Sequence, residues 1–387
     1  MSDAWGTEYV QLAFRIEKHF QGFVDAYCGP PSLKGAIERE EKRPFDTLLD
    51  DALHLEETIP DTTDARKVYL HKQVTGMRTT LQVLAGEEIP YTDQVSLFFD
   101  VVPEKIPDSR FEKYKEVLQD IFRGKNLHDA VEEWGKSKEI RDPLLTQAVA
   151  LIQDECRKRT SSLLSLPDGE HIDFVFVKDK PWSGYNWYLG NFSSRVEINT
   201  DIPLRVTSLP SLISHEAYPG HHTEHLMKEN LLYRGEGFTE ACIFVYNTPE
   251  CLISEGIANA GFKLLFKSRK ECYSLLNRLL NTDIDVEKDT QIAEALNELG
   301  AISGNAALMI HKDNADESEA IHYLMDMGLT TRERAEKQIE FITHPLFSPY
   351  IFNYHLGKEI VSAAYENIDP TLFYTHQICP SNISWFE

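Results

Sequence analysis

The stretch "SHEAYPGHHTEH", Ser214–His225, contains four histidines and two glutamates in twelve residues. It begins like the zinc-peptidase signature H-E-x-x-H, in which two histidines four residues apart lie on one helix face and bind one ion. Position 219 is instead a proline, and the next histidine is His221. On a regular helix this six-residue step leaves His215 and His221 roughly 120° apart. The fold therefore depends on the backbone at Pro219 and Gly220.

Proline and glycine together give a physical reason for an interrupted helix. Pro219 has no N–H to donate, and its ring crowds the carbonyl of His215. Gly220 tolerates dihedral angles that other residues avoid. A bulge or a loop of two residues would bring His221 back beside His215. The pattern then predicts a stretched zinc motif.

Two alternatives remain open from the residues alone. In the first, Pro219 is the initial residue of a helix, so that His221 and His225 form the four-apart pair while His215 and Glu216 lie in the preceding loop. In the second, the polar residues only decorate a helix start, with glutamates near the positive end of the helix dipole. The first alternative moves the metal site, and the second removes it.

A catalytic zinc site usually has three protein ligands and a water, so a further ligand is needed. Glu255 is the best candidate, within "NTPECLISEGIANAGFKLLF" (247–266). Thr248 can cap a helix there and Pro249 can begin it. The small residues around Glu255 would let another helix approach, and a glutamate buried on an apolar face is costly without a partner.

Both segments resemble the family catalogued as domain of unknown function 885. "HEAYPGHH" (215–222) matches the H-E-x-x-P-G-H-H motif of that family fully. "SEGIANAGF" (254–262) matches a second motif in its Glu-Gly core, with Ile257 in place of a tryptophan. The resemblance extends over most of the chain and implies a mostly helical, zinc-peptidase-like fold. The missing tryptophan puts the shape of the pocket in doubt.

The resemblance also implies roles for individual residues. His215, His221 and Glu255 would hold zinc, and Glu216 would be the general base that accepts a proton from the attacking water. His222 is expected to tolerate change better than His221. A site of two histidines and one carboxylate also suits iron(II), but the resemblance favours zinc.

Other candidates would contact the substrate. Tyr350 and Tyr354, four residues apart, would present both hydroxyls on one helix face as donors to the oxyanion. Tyr354 also matches a tyrosine-x-x-glycine pattern of the family. The strand "SRVEINTD" (194–201) could offer a peptide-binding edge, with Arg195 and Asn199 as substrate-binding residues. His311 aligns with a histidine of the family and is a further candidate substrate contact.

Helical periodicity predicts a mainly α fold with one small β-sheet next to the metal-binding helix. A first helix is predicted over 4–27, ending at "CGPP", and others near 33–56, 63–86, 109–124 and 143–164. Alternation in "HIDFVFVKDK" and around 195–199 predicts two strands. Residues 1–167 would form a helical N-terminal half, and residues 168–387 the half with the sheet and the metal, joined as one continuous catalytic unit.

Composition limits the partners. Thirty-nine basic and 62 acidic side chains give a net charge of −23, which disfavours nucleic acid and anionic membranes. The six cysteines include no C-x-x-C pair, and the first residues lack the features of a secretory signal. We therefore expect a cytoplasmic zinc metallopeptidase acting on peptides. The alternatives are a metal-dependent amidase acting on a small non-peptide substrate and a non-catalytic protein that binds metal or ligand.

Overall fold

The computed structural model describes residues 4–140, 144–180 and 182–387 and shows a mainly helical protein. The prediction of a mainly α fold with a small sheet is confirmed. The sequence predicted one sheet, whereas the described residues form two. Across those residues, every helix is too short or too polar to cross a lipid bilayer.

The α-helices follow one another along the chain as α1 (Ala4–Glu17), α2 (Pro31–Arg39), α3 (Phe45–Glu57), α4 (Asp64–Leu84), α5 (Tyr91–Phe99), α6 (Asp108–Ile121), α7 (Leu127–Ser137), α8 (Leu144–Ser161), α9 (Leu209–Glu216), α10 (His221–Lys228), α11 (Pro249–Leu265), α12 (Arg269–Leu280), α13 (Val286–Leu299), α14 (Ile302–His311), α15 (Glu317–Gly328), α16 (Arg332–Ile342), α17 (Lys358–Ala364) and α18 (Leu372–Thr375). The predicted segment 33–56 is two helices, α2 and α3. The predicted segment 143–164 corresponds to α8, and its first residue, Pro143, lies outside the described residues.

The strands are β1 (Val24–Tyr27), β2 (His171–Val177), β3 (Gly184–Gly190), β4 (Ser193–Asn199) and β5 (Ile243–Val245). The larger sheet has the order β2-β4-β3, with β2 parallel and β3 antiparallel to β4. The central strand is therefore β4, and β3 is an edge strand. The second sheet is the antiparallel pair of β1 and β5.

The predicted helix over 4–27 is wrong in its last ten residues, because α1 ends at Glu17. After α1 ends, the carboxylate of Glu17 accepts hydrogen bonds from the backbone N–H groups of Gly22, at 3.0 Å, and Val24, at 2.8 Å. Residues 24–27 then form β1, in which Tyr27 pairs with Ile243 of β5. Helical periodicity could not reveal this strand because its partner lies so far along the chain.

The two predicted halves share their hydrophobic cores. One cluster joins Val10 and Leu70 of the first half to Val245 of the second. A larger cluster joins Phe111 of the first half to Leu252 of the second, among many other apolar side chains. The boundary at residue 167 therefore does not separate two independent cores, and the N-terminal helices support α11 directly.

Candidate metal centre

The helix that begins the histidine motif stops before the proline. α9 ends at Glu216, the peptide bond between Tyr218 and Pro219 is cis, and α10 begins at His221. The N–H of Gly220 donates to the carbonyl of Ser214 at 2.9 Å, so the connecting residues fold back over the end of α9. The histidine motif is therefore divided between two separate helices.

This backbone brings two histidines together. Nε2 of His221 lies 3.2 Å from Nε2 of His215, and the two rings are perpendicular. His225 lies one turn further along α10, with its ring centroid 6.4 Å from that of His221. The geometry therefore favours the pair His215 and His221 over the alternative pair His221 and His225.

Glu255 reaches the same point from α11. Its Oε2 lies 3.6 Å from Nε2 of His215, and its Oε1 lies 3.9 Å from Nε2 of His221. As expected, Pro249 begins this helix; Thr248 precedes it, but its hydroxyl donates to the carbonyl of Val245 instead of capping the helix. The carboxylate is 6% exposed.

These atoms fit a zinc ion. Bonds of about 2.0–2.1 Å in a tetrahedral arrangement separate neighbouring ligand atoms by roughly 3.3 Å, close to the 3.2 Å between the two histidines and the 3.6 Å from His215 to Oε2 of Glu255. Oε2 of Glu255 is buried without a hydrogen-bond partner, which is costly unless something else binds it. Burial also lowers the pKa of His215 to about 4, so its ring is neutral and able to bind a metal near pH 7.

Glu216 is the second carboxylate at this centre. Its Oε1 lies 4.0 Å from Nε2 of His215, and one ligand atom each from His215, Glu216 and His221 lie within 4.8 Å of one another. Glu255 is nearer to both histidines, which favours it as the ligand and leaves Glu216 beside the site. Burial, with the negative charges of Glu255 and Asp25, raises the pKa of Glu216 to about 8. A cation bound by the two histidines would oppose this shift, because a nearby positive charge favours the ionised carboxylate.

The two candidate tyrosines have different surroundings. Tyr350 ends a short 3₁₀ turn (Ser348–Tyr350), and its hydroxyl donates to Oε1 of Glu255 at 3.0 Å. Tyr354 lies in a π-helical turn (Asn353–Gly357), is 43% exposed, and has no hydrogen-bond partner for its hydroxyl among the described residues. Their rings are 5.7 Å apart. The two tyrosines lie on one continuous but irregular helical segment, and of the two only Tyr350 has a hydrogen-bond partner for its hydroxyl among the described residues.

The predicted substrate contacts on β4 are not supported. This strand pairs on both sides, so it has no free edge for a peptide, and the prediction of a binding edge there is wrong. Asn199 is buried, and its side chain contacts the backbone of Lys180 and Asp201. Arg195 forms a 3.2 Å ion pair with Glu197 on its own strand.

His311 also has a structural explanation. Its Nε2 lies 2.6 Å from the carbonyl oxygen of Ile342, and its ring stacks on Tyr91 with centroids 4.1 Å apart. Both contacts belong to the packing of α14 against α16 and α5. The structure therefore gives no support to His311 as a substrate contact.

Sequence reasoning missed a third carboxylate next to the site. Asp25 on β1 accepts hydrogen bonds from the hydroxyls of Tyr185 and Tyr246, which lie 3.2 Å from each other. The ring of Tyr246 packs 5.4 Å from that of Tyr350. Burial raises the pKa of Asp25 to about 6. The feature of the sequence that could have identified Asp25 is a single aspartate among the apolar residues of "FVDAY".

Comparison with known proteins gives fold similarity only. No protein-family profile and no curated protein sequence matches the chain. A candidate lipoprotein from Colwellia psychrerythraea has a similar structure, with a TM-score of 0.57 and 13% identity over 88% of this chain. The chain spans 66% of the length of that protein. A candidate lipoprotein of unknown function from Shewanella oneidensis has a TM-score of 0.50 and 11% identity, covering 92% of this chain and 75% of its own.

Proposed function

We propose that this protein is a zinc-dependent metallopeptidase, related to the family catalogued as domain of unknown function 885. The observation that carries the proposal is the convergence of Nε2 of His215, Nε2 of His221 and the unpartnered Oε2 of Glu255, with separations of 3.2 Å between the histidines and 3.6 Å from His215 to Glu255. Glu216, whose Oε1 lies 4.0 Å from Nε2 of His215, would act as the general base.

Each residue of the proposed site has a separate role in peptide hydrolysis. When bound, zinc polarises the scissile carbonyl and acidifies water. Glu216 accepts the proton of the attacking water and delivers it to the leaving nitrogen. The hydroxyl of Tyr354 donates a hydrogen bond to the carbonyl oxygen of the substrate, which becomes negatively charged during the attack. Tyr350 orients Glu255 through its 3.0 Å hydrogen bond.

The edge strand β3 is suited to bind an extended peptide. Its side opposite β4 has no strand partner among the described residues. The carbonyl of Ser183 accepts a hydrogen bond from the N–H of Asn199 at 2.9 Å. Because hydrogen-bonded and non-hydrogen-bonded residues alternate along an antiparallel pair, the N–H and C=O groups of Gly184 and Asn186 point away from β4. Asn186 also donates to the carbonyl of Glu216 at 2.7 Å, which places this edge next to the general base. A peptide added to β3 would pass the site in an extended conformation.

The first test is metal content and chelator-sensitive hydrolysis. Mass spectrometry of the purified protein should find one zinc per chain, and a mixed peptide library should be cleaved until a chelator removes the metal. The Glu216→Gln variant should lose cleavage by roughly 10²- to 10⁴-fold while keeping its zinc. Glu366→Gln, at an exposed surface position, should retain both activity and zinc.

Three other results would contradict the proposal. A library left intact while small amides are hydrolysed would favour an amidase. Stoichiometric zinc without hydrolysis of either substrate class would favour a binding protein. Absence of bound zinc at neutral pH, even after incubation with the metal, would remove the metal site altogether.

A further inference from the structure

The second ring nitrogen of His221 contacts a buried row of polar side chains. Nδ1 of His221 lies 3.1 Å from the hydroxyl of Ser254, the residue that precedes Glu255 on α11. That hydroxyl donates to Oε2 of Glu224 at 2.5 Å. Oε1 of Glu224 in turn accepts from Nζ of Lys228 at 2.6 Å, one turn along α10. Ser254 therefore connects the histidine to a buried ion pair.

Burial and the ion pair of Glu224 with Lys228 indicate the direction of these hydrogen bonds. Glu224 is 0% exposed and Ser254 is 1% exposed. A carboxylate paired with a lysine can only accept hydrogen bonds, so Ser254 must donate its single proton to Glu224. The oxygen of Ser254 is then the acceptor for His221, which requires the proton of that ring to sit on Nδ1.

Further hydrogen bonds at the Lys228 end of the row hold the side chains in this orientation. Lys228 also donates to Oε1 of Glu250 at 2.8 Å. Oε2 of Glu250 accepts from Nε2 of Gln73 at 3.2 Å, and the backbone N–H of Glu250 donates to Oε1 of Gln73 at 3.1 Å. Because Gln73 lies on α4, the row fixes α10 and α11 against the N-terminal helices. Rearranging one member would leave another buried polar group unpaired.

From this directionality we propose that Ser254 is a positioning residue that holds His221 in the tautomer with the proton on Nδ1, so that Nε2 presents its lone pair to the metal. Glu224, held by Lys228, sets the direction of the hydroxyl. The inference rests on the metal site of the proposed function. Partners that fix the tautomer of a metal-binding histidine typically affect metal affinity by about 10- to 100-fold.

The tautomer can be measured without any metal. Nitrogen-15 NMR of the metal-free protein labelled at histidine should show the His221 proton on Nδ1. In Glu224→Gln, the side-chain amide can donate to Ser254, which turns the hydroxyl toward His221 and moves the ring proton to Nε2. A change of tautomer on this substitution is a result that a purely structural role would not produce.

Zinc affinity gives the second readout, by competition with a chromophoric chelator. Ser254→Ala should weaken zinc binding by about 10- to 100-fold. The matched control is Ser303→Ala, a buried serine on α14, which should bind zinc like the wild type. If Glu224→Gln does not fold, as judged by circular dichroism, the Ser254→Ala affinity and the wild-type tautomer still decide the question.

Two results would overturn the inference: an unchanged zinc affinity in Ser254→Ala, or a His221 proton on Nε2 in the metal-free wild type. Both are independent of peptide cleavage. Zinc binding that follows these expectations without any hydrolysis would support the role of Ser254 and contradict the proposed peptidase.

Discussion

Gly220 lies against the backbone of His215 so closely that a Cβ atom at residue 220 would sit 1.8 Å from the carbonyl oxygen of His215. The same atom would lie 2.6 Å from the carbonyl oxygen of Ser214. Only glycine can occupy this position without moving one of the two chain segments. The contact is what folds α10 back over the end of α9 and brings His221 beside His215.

The first prediction is that Gly220→Ala separates the two histidines. Overpacking of this kind typically costs about 1–3 kcal/mol, and here it acts on rigid backbone. We expect a lower free energy of unfolding in urea and loss of stoichiometric zinc. Gly35→Ala is the matched control, because its Cβ would meet only Arg39 at 3.5 Å. Wild-type zinc affinity in Gly220→Ala would show that the close contact is not required.

The second prediction concerns the identity of the metal ligands. His215→Ala and His221→Ala should each abolish stoichiometric zinc, measured by mass spectrometry. His225→Ala should keep it, because the His225 ring packs between Tyr188 and Phe244. If His225→Ala lost zinc while His215→Ala retained it, the four-apart pair on α10 would be the true site.

The third prediction is that Gly184→Ala lowers turnover without removing zinc. A Cβ at residue 184 would lie 3.2 Å from Oε1 of Glu216 and 2.7 Å from Cδ1 of Leu212. The end of the Leu212 side chain or the edge of β3 must move, and the side chain of Glu216 must give by a few tenths of an ångström, so we expect kcat to fall by less than the roughly 100-fold that a displacement of about 1 Å can cost. Steady-state kinetics and metal content should be measured together. A variant with normal kcat would show that the edge of β3 does not influence the proposed role of Glu216.

The fourth prediction separates the two tyrosines. Tyr354→Phe removes a hydroxyl that has no hydrogen-bond partner within the described part of the chain, so kcat should fall by about 10²-fold while zinc affinity is unchanged. Tyr350→Phe removes the donor to Glu255 and should weaken zinc binding by about 10-fold. The opposite assignment of the two effects would mean that Tyr350 is the oxyanion donor.

The fifth prediction concerns stability in acid. Glu170 is buried, which by itself raises the pKa of its carboxyl, but hydrogen bonds from His222, Tyr218 and Arg157 outweigh burial and lower the pKa from 4.5 to about 2. Since the folded-state pKa lies below the unfolded value, the stabilisation is complete above pH 4.5 and is lost as the pH falls toward 2.

Glu170→Gln should therefore lower the free energy of unfolding by about 2 kcal/mol at pH 7 and by much less near pH 2. Urea titrations at several pH values would measure this difference, with Glu366→Gln as the surface control. A constant difference at every pH would mean that ionisation of Glu170 does not contribute. His222 belongs to this network through its 3.2 Å contact with Glu170 and also lies 2.8 Å from the hydroxyl of Ser194. His222→Ala should therefore also destabilise the fold, contrary to the tolerance expected from the sequence.

The sequence predicted those features that depend on residues within a single segment. Pro219 and Gly220 gave a local reason to expect an interrupted helix, and Glu255 stood out as a carboxylate within an apolar helix. The position of β4 at the centre of its sheet depended instead on the pairing of β3, whose aromatic and glycine residues gave no clear alternation. Tyr350 and Tyr354 were expected on one regular helix because the 3₁₀ and π-helical turns have no signature in residue spacing.

The sequence did not identify residues whose contacts at the site are made with distant parts of the chain. Asp25 lies on β1, and its proximity to Glu216 follows only from the pairing of that strand with β5. Ser254 was noted merely as a small residue, since its hydrogen bond depends on where α10 crosses α11. Both omissions concern contacts between segments that a linear pattern cannot bring together.

The pairing of Tyr27 with Ile243 has a consequence for any attempt to isolate a smaller fragment that contains the histidines. A polypeptide beginning at residue 168 would keep the histidines and Glu255, yet it would expose the β5 backbone and the apolar side chains that α1 and α4 cover. Such a truncation should be insoluble or unfolded, whereas the missing N-terminal piece supplied separately has a built-in strand with which to re-associate. The two pieces should therefore be studied by mixing them in a fragment-complementation experiment, and not as isolated fragments.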